Sequence, residues 1–172
     1  MERTALAGRI AAVATLSGSF TLRSGAIADT YFDKYRFESD PALLRAVAAA
    51  MAPLVPDDTE LLAGLELGGV PVATALSLAT GVPAVFVRKE AKAYGTAKLA
   101  EGPDVDGRRL LVVEDVVTSG GQIVLSTADL RALGAVVTTA VCVIDREQGG
   151  ADALAEHDVE LRSVFGRSDL GR

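Results

Sequence analysis

The sequence contains few of the residues on which several kinds of site depend. In 172 residues there is one cysteine, Cys142, and one histidine, His157. A disulfide within the chain is therefore excluded, and zinc sites built from several cysteines or histidines are disfavoured. We expect Cys142 to pack inertly in a buried strand and His157 to lie at the surface or at the end of a helix. The lack of a disulfide framework fits a reducing, cytoplasmic setting.

Positive charge is also in deficit. The chain has 17 Lys and Arg against 23 Asp and Glu, which gives a net charge of −6 at pH 7. A general nucleic-acid binder needs a basic face for phosphate contacts, so this class of protein is disfavoured. The length predicts a single domain, which can form a core without disulfides or a structural metal.

One uncharged stretch, residues 67–87, has 21 residues and is long enough to span a bilayer. Three glycines and two prolines interrupt it. These breaks favour a loop, a helix, a turn and a buried strand. We therefore expect no membrane span here.

Short apolar runs alternate with helical patterns through most of the chain. The predicted strands are residues 61–65, 84–87, 110–113, 136–144 and 159–164. The predicted helices are residues 1–16, 41–53, 70–80, 121–133 and 150–157, with extended pieces at 20–25 and 29–37. Strands that are apolar at nearly every position indicate a mainly parallel sheet with helices on both faces. The sequence thus predicts a doubly wound α/β fold, whose ligands bind where the strands end.

The most informative segment covers residues 110–122. A buried strand leads into Glu114 and Asp115 and then into a loop of Thr, Ser and Gly that opens a helix. Loop amides and a helix N-terminus form a phosphate site, which Thr118 and Ser119 supplement with hydroxyl donors. Because phosphate does not attract carboxylates, the two acids are predicted to serve sugar hydroxyls or a magnesium-bound group. The pattern indicates a phosphorylated sugar as ligand, although a fortuitous polar loop is the alternative.

Residues 113–121 resemble the phosphoribosyl-pyrophosphate (PRPP) motif of type I phosphoribosyltransferases. More narrowly, the chain is similar to the orotate phosphoribosyltransferases over roughly residues 20–150. The further segments that carry this similarity occur in the family's order and are residues 20–25 with 31–33, 64–71, 87–95 and 145–150.

This resemblance implies a fold, an activity and an assembly. The fold is the type I phosphoribosyltransferase fold in one domain, residues 1–172, with a small N-terminal hood at 1–38 and a mobile basic lid loop at 88–109. The activity is magnesium-dependent transfer of 5-phosphoribosyl from PRPP to orotate, giving orotidine 5′-monophosphate and diphosphate in de novo synthesis of UMP. The assembly is a homodimer in which the lid loop reaches the neighbouring subunit's site.

The resemblance also assigns residues. Catalytic roles fall on Lys92, Glu114 and Asp115. Because successive strand residues face opposite sides, we expect one of the two acids to point into the pocket, and we favour Asp115. PRPP binding falls on Arg23, Arg88, Lys89, Lys92, Tyr94, Glu114, Asp115, Val116, Val117, Thr118, Ser119, Gly120, Gly121 and Gln122. Orotate binding falls on Thr118, Arg146, Tyr31 and Phe32. Magnesium is expected to bind mainly through PRPP, with Asp115 as a candidate direct ligand.

The residues of the lid and the base site can also be interpreted from their chemistry alone, without the resemblance. Residues 88–109 carry six Lys and Arg against four Asp and Glu, a net charge of +2. That composition suits a lid that brings cations onto an anion, and it equally suits a solvated charged loop. The guanidinium of Arg146 suits a planar carboxylate, the alternative being a surface salt bridge to Glu147. Tyr31 and Phe32 could flank a flat pyrimidine or belong to the core.

Three positions depart from the family's usual residues. Tyr94 stands where many members have histidine, Arg23 where lysine is frequent, and Gly68 where some members have another PRPP-binding lysine. Two alternative functions stay open. One is a phosphoribosyltransferase for another nucleobase, which Arg146 and the basic lid argue against. The other is a non-catalytic PRPP-sensing regulator, which would need a basic nucleic-acid surface.

Overall fold

The computed structural model describes residues 1–21, 25–90 and 98–171. The α-helices in these ranges are α1 (Arg3–Ala14), α2 (Tyr35–Glu38), α3 (Pro41–Met51), α4 (Gly69–Thr80), α5 (Gly121–Ala132) and α6 (Gly150–Ala155). The strands are β1 (Thr15–Thr21), β2 (Ile27–Phe32), β3 (Leu61–Leu65), β4 (Ala84–Val87), β5 (Ala100–Glu101), β6 (Arg109–Val117), β7 (Val136–Asp145) and β8 (Glu160–Phe165).

Six strands form the central sheet, in the order β5-β4-β3-β6-β7-β8. All neighbours are parallel except β5, which pairs antiparallel with β4 at the edge. Apolar clusters bury both faces of the sheet, with α1, α3 and α4 on one face and α5 and α6 on the other. The predicted doubly wound, mainly parallel fold is therefore confirmed.

The winding reverses between β3 and β6. From β3 the chain moves outward to β4, whereas β6 returns to the opposite side of β3. A crevice forms at the carboxyl ends of two parallel strands at such a reversal, and it is the usual ligand site of open α/β sheets. Glycines tighten the crevice, because a Cβ at Gly68 would overlap the Asp115 carboxylate and a Cβ at Gly69 the carbonyl oxygen of Val113.

Two differences between the predicted and the observed elements affect the site. β6 runs to Val117 instead of residue 113, because its pairing with β7 continues past the two acids. Residues 35–37, predicted as extended, belong to the short helix α2, which buries Phe37 completely. In α3 the predicted N-terminus is confirmed, since Asp40 accepts hydrogen bonds from the amides of Ala42 and Leu43 at 2.8 and 3.0 Å.

The hood consists of α1, the antiparallel hairpin β1-β2 and α2. Its apolar side chains pack in the core, and two ion pairs also join it to the rest of the molecule. The Arg3 guanidinium contacts the Asp169 carboxylate at 2.6 and 2.8 Å, near the end of the chain. The Lys34 ammonium lies 2.6 Å from the Asp115 carboxylate in the central sheet.

The second half of the predicted lid, residues 88–109, contains buried residues. Ala100 and Glu101 form the edge strand β5, and Val105 is buried. Two apolar anchors in a charged segment therefore hold its second half in the fold, while residues 91–97 lie outside the described ranges. Residues 67–87 form α4 and β4 as expected, and no helix of the described ranges could cross a membrane.

Candidate functional site

The phosphate loop lies where β6 gives way to α5. Thr118 and Ser119 are exposed after the strand, and Gly120 adopts a positive φ of 75° just before the helix. No described side chain caps the start of α5. The first amides of the helix therefore remain available to an anion, and the helix dipole favours negative charge there. This is the arrangement the motif predicts.

The two motif acids differ in access. Asp115 is fully buried: its Oδ1 accepts the Val116 amide at 2.5 Å, and its Oδ2 lies 2.6 Å from Nζ of Lys34. Glu114 is only partly buried, and its Oε1 accepts the Asp115 amide at 3.1 Å. Of the two predicted catalytic carboxylates, Glu114 has the open side.

A second acid, Glu38, completes the buried cluster. Its two carboxyl oxygens are enclosed and make no hydrogen bond of ordinary geometry to a described residue. Burial and the neighbouring Asp115 raise the pKa of Glu38 to about 9, and the same two causes raise the pKa of Glu114 to about 8. Burial opposes the ionisation of Asp115, but the neighbouring Glu38 carboxyl and Lys34 ammonium outweigh it and lower its pKa.

The sequence analysis did not identify Lys34 and Glu38. They lie four residues apart, which brings two side chains to one face of a helical turn. That signal was hidden because residues 29–37 were predicted to be extended. Burial also opposes the charge on Lys34, but the hydrogen bond to Asp115 and its negative charge raise the pKa of the ammonium.

A second cleft lies between the hood and the ends of β7 and β8. It is lined by Thr15, Thr30, Tyr31, Phe32, Arg146, Gln148, Arg167, Leu170 and Gly171. The Arg146 guanidinium lies 5.1 Å from the centre of the Phe32 ring, within range of a cation–π contact. The structure thus brings together the predicted base-site residues Tyr31, Phe32 and Arg146, and it adds Arg167.

The phosphate loop and the second cleft are neighbours, because they follow the paired strands β6 and β7. The Arg146 amide donates to the Val117 carbonyl at 2.9 Å, directly beside Thr118. Arg146 makes no ion pair with a described residue, so the salt bridge to Glu147 considered above is not formed. A ligand on the phosphate loop can therefore extend toward the aromatic cleft.

The remaining predicted residues are less engaged. Arg88 lies 3.4 Å from Glu101, and the amide of Lys89 donates to Oε1 of Glu66 at 2.6 Å, which fixes the start of the lid. The predicted PRPP ligands Arg23, Lys92 and Tyr94 lie outside the described residues.

The cysteine and the histidine lie where the sequence analysis expects them. Cys142 is buried in β7, and burial raises the pKa of its thiol well above the usual value. His157 is exposed just after α6.

The site offers limited protein ligation to a metal. The described residues contain no group of three or more His, Cys, Asp or Glu that could hold an ion. Magnesium is commonly bound through one or two carboxylates together with substrate phosphates. The accessible carboxylate of Glu114 beside a phosphate loop fits that mode, whereas both oxygens of Asp115 are already engaged.

Comparison with known proteins identifies the class first. The model of the family described as phosphoribosyl transferase domain matches residues 36–164, so the chain belongs to that family. Within it the chain belongs to the orotate phosphoribosyltransferases. A relative of that name from Nocardioides sp. is 56% identical over 165 residues, which cover 96% of this chain and 92% of the relative.

Solved structures agree with the sequence comparison. Mycobacterium tuberculosis orotate phosphoribosyltransferase in complex with Fe(III) dicitrate has a TM-score of 0.90 at 38% identity, with 99% of both chains covered. The same enzyme in complex with PRPP has a TM-score of 0.85 at 34% identity, again covering 99% of each. The expected type I phosphoribosyltransferase fold is thus confirmed.

Proposed function

We propose that this protein transfers 5-phosphoribosyl from PRPP to N1 of orotate, which releases diphosphate and forms orotidine 5′-monophosphate on the route to UMP. The observation that carries the proposal is that a phosphate loop and an aromatic cleft follow two adjacent strands. A phosphate loop at residues 118–122 and a ribose-binding acid, Glu114, lead directly to an aromatic cleft that contains Arg146. The names of the relatives and the PRPP complex of a structural neighbour support it.

PRPP is bound from the carboxyl edge of the sheet. The amides of Thr118 to Gln122 and the dipole of α5 bind the 5′-phosphate. Glu114 accepts hydrogen bonds from the ribose hydroxyls, and Asp115 supports it from behind. As the glycosidic bond breaks, the ribose becomes cationic, and nearby carboxylates stabilise that charge more than they stabilise the ground state.

The leaving diphosphate needs positive charge. We assign this role to Arg88, Lys89 and Lys92 of the lid, with Lys92 as the principal catalytic cation and Arg23 and Tyr94 as further PRPP ligands. Magnesium bound with PRPP would neutralise part of the same charge, with Glu114 able to contribute a carboxylate oxygen. Cations that meet charge as it develops lower the barrier, and each such contact is worth roughly 10²–10³ in rate.

Orotate is planar and carries a carboxylate. Tyr31 and Phe32 line the cleft, and Arg146 and Arg167 bring positive charge to it. A guanidinium can bind a carboxylate through two parallel hydrogen bonds. With Thr118 at the junction of the clefts, these groups would hold the base with N1 toward the ribose.

Substrate consumption tests the assignment. Orotate should disappear only in the presence of both PRPP and magnesium, with uracil and hypoxanthine as parallel controls. Uracil lacks the carboxylate, so turnover of uracil as fast as orotate would contradict the assignment. PRPP binding without turnover of any base would instead favour the non-catalytic regulator.

We also propose a cytoplasmic homodimer that shares the lid between subunits. Support comes from two exposed apolar side chains. Leu78 in α4 is 86% exposed, and Leu67, just before α4, is 64% exposed. A second copy of the chain would cover such a surface. The single buried cysteine fits a reducing compartment.

Mixed dimers test the sharing. Lys92→Ala and Asp115→Asn should each remove most activity, and exchange of subunits should create hybrids with one intact site. Random exchange makes about half of the dimers hybrid, so activity should recover to roughly a quarter of wild type. No recovery after demonstrated exchange would show that Lys92 serves its own subunit.

A further inference from the structure

Asp115 has no free side toward the cleft. One carboxylate oxygen accepts the Val116 amide, the other contacts the Lys34 ammonium, and the side chain has no solvent exposure. Lys34 is different, because 33% of its side chain is exposed. An ammonium group has three N–H donors, and among described residues Asp115 is its one hydrogen-bonding partner. The accessible member of this ion pair is therefore the cation.

The position of the pair along β6 indicates which part of PRPP it would meet. Strand residues advance about 3.3 Å each, so Asp115 lies roughly 10 Å before Thr118 and the phosphate loop. Glu114, the proposed ribose ligand, is its neighbour on the strand. A PRPP molecule with its 5′-phosphate on the loop would thus direct its other end toward Lys34, at the Gly68 side of the crevice. That other end is the diphosphate.

We propose that Lys34 is a substrate-contacting cation, which Asp115 and Glu38 hold in place to bind the diphosphate of PRPP. This inference rests on the proposed function and deepens it. Asp115 supplies the opposite charge for Lys34, and Glu38 encloses Asp115 from the last position of α2. The hood thus contributes a charge that the sheet lacks, because Gly68 at this place has no side chain and no room for one.

The acids around the ammonium balance its charge without occupying all three of its N–H donors. Lys34 faces Asp115 and Glu114, and the ring of Tyr35 lies 5.4 Å from its Nζ. The charges of Asp115 and Lys34 cancel, so the pair is neutral as a whole. The other N–H groups of the ammonium can then donate hydrogen bonds to a ligand. Diphosphate oxygens would complete these donors without displacing Asp115.

The test compares two ligands that differ in the diphosphate. PRPP contains it, whereas orotidine 5′-monophosphate carries the same 5′-phosphate and ribose with a base instead. Lys34→Met should raise the Kd of PRPP at least about tenfold and leave the Kd of orotidine 5′-monophosphate within about twofold, measured by calorimetry. Lys34→Arg should keep most of the PRPP affinity. Arg36→Met, which removes an exposed charge from the same helix, is the matched control and should change neither Kd.

Two results would overturn the inference. An equal loss of affinity for both ligands would mean that Lys34 only keeps Asp115 and the ribose site in place. A PRPP Kd within twofold of wild type would mean that Lys34 does not contact the diphosphate. The proposed function fails separately, if the wild-type protein binds PRPP but does not consume orotate.

A double variant controls for the possibility that Lys34→Met fails to fold. If Lys34→Met alone unfolds because Asp115 loses its partner, the double variant Lys34→Met with Asp115→Asn removes both buried charges. It is compared with Asp115→Asn alone, in which the ammonium remains. The double variant should bind PRPP about tenfold more weakly than the single variant. Equal Kd values would again reject a contact between Lys34 and the diphosphate.

Discussion

The two walls of the candidate site are built differently. The sheet wall, at the ends of β3 and β6, is made of backbone groups and glycines packed so closely that a Cβ does not fit at Gly68 or Gly69. The hood wall is made of individual side chains, among them Lys34, Glu38 and Phe32, that reach across a gap. The sheet wall should therefore be sensitive to added volume, and the hood wall to changes of charge.

The largest effect is expected from added volume at Gly120. Its φ of 75° disfavours any side chain, and a Cβ there would lie 2.5 Å from Cδ1 of Leu154 and 3.0 Å from the Gly150 carbonyl. Gly120→Val should lower the free energy of unfolding by about 2–5 kcal/mol and abolish PRPP binding. Thermal unfolding and calorimetry measure both.

Gly107→Val is the matched control for this prediction. Gly107 also has a positive φ, 70°, but a Cβ there meets nothing within 4 Å. It should cost only the backbone strain, about 1–2 kcal/mol, and leave binding intact. Equal effects at the two positions would show that tight packing of the sheet wall is not the cause.

Arg146 follows β7 in the sheet wall, but its guanidinium contacts Phe32 of the hood wall. A substitution of Arg146 therefore tests how the two walls meet at the base cleft. Arg146→Met removes a charged hydrogen-bond donor from the base cleft. The KM for orotate should rise roughly ten- to hundredfold, while the KM for PRPP stays within about twofold. Steady-state kinetics with each substrate varied in turn measures both. A larger change in the PRPP constant would place Arg146 outside the base site.

On the hood wall, Glu38 should make stability depend on pH. Its pKa is about 9 in the fold, against 4.5 ordinarily, because it is buried beside Asp115 and Glu114. A carboxyl with a raised folded pKa stabilises fully below pH 4.5, and this contribution is lost as pH rises toward 9. Glu38→Gln removes that loss, so the variant should gain on the order of 1–2 kcal/mol over wild type between pH 5 and pH 6. Denaturant unfolding at both pH values measures it, and an unchanged difference would show that Glu38 is ionised in the fold.

The smallest effect is expected at Arg167. This residue lines the base cleft from the turn after β8 and is exposed to solvent. Exposed charge contacts contribute little, so Arg167→Met should raise the KM for orotate only about two- to fivefold. An effect as large as that of Arg146→Met would mean that the turn closes over the bound base.

The sheet wall could be predicted from the sequence more completely than the hood wall. Strands buried on both faces leave continuous apolar runs, so β3 and β4 were predicted at their observed bounds. The phosphate loop was equally visible, because its chemistry depends on consecutive residues.

The unpredicted parts depend on contacts between distant segments. The two-residue strand β5 and the four-residue helix α2 are too short for any periodicity to show. Lys34 meets Asp115, and Arg167 meets the cleft of Arg146, only after the chain has folded. No local pattern encodes such pairings.

The two attachments of the hood differ in how dissolved salt would act on them. The Arg3–Asp169 pair has side chains 57% and 27% exposed, so counterions can reach it, whereas the Lys34–Asp115 pair has one partner with no exposure. Electrostatic attraction between exposed charges is screened over about 8 Å at physiological ionic strength, and buried pairs are screened much less. Concentrated salt would therefore weaken the contact of Arg3 with the last turn of the chain more than the contact of Lys34 with β6, while the apolar side chains of α1 stay buried in the core. Ionic strength would thus act first on the base cleft, which that turn lines, and last on the PRPP end of the site.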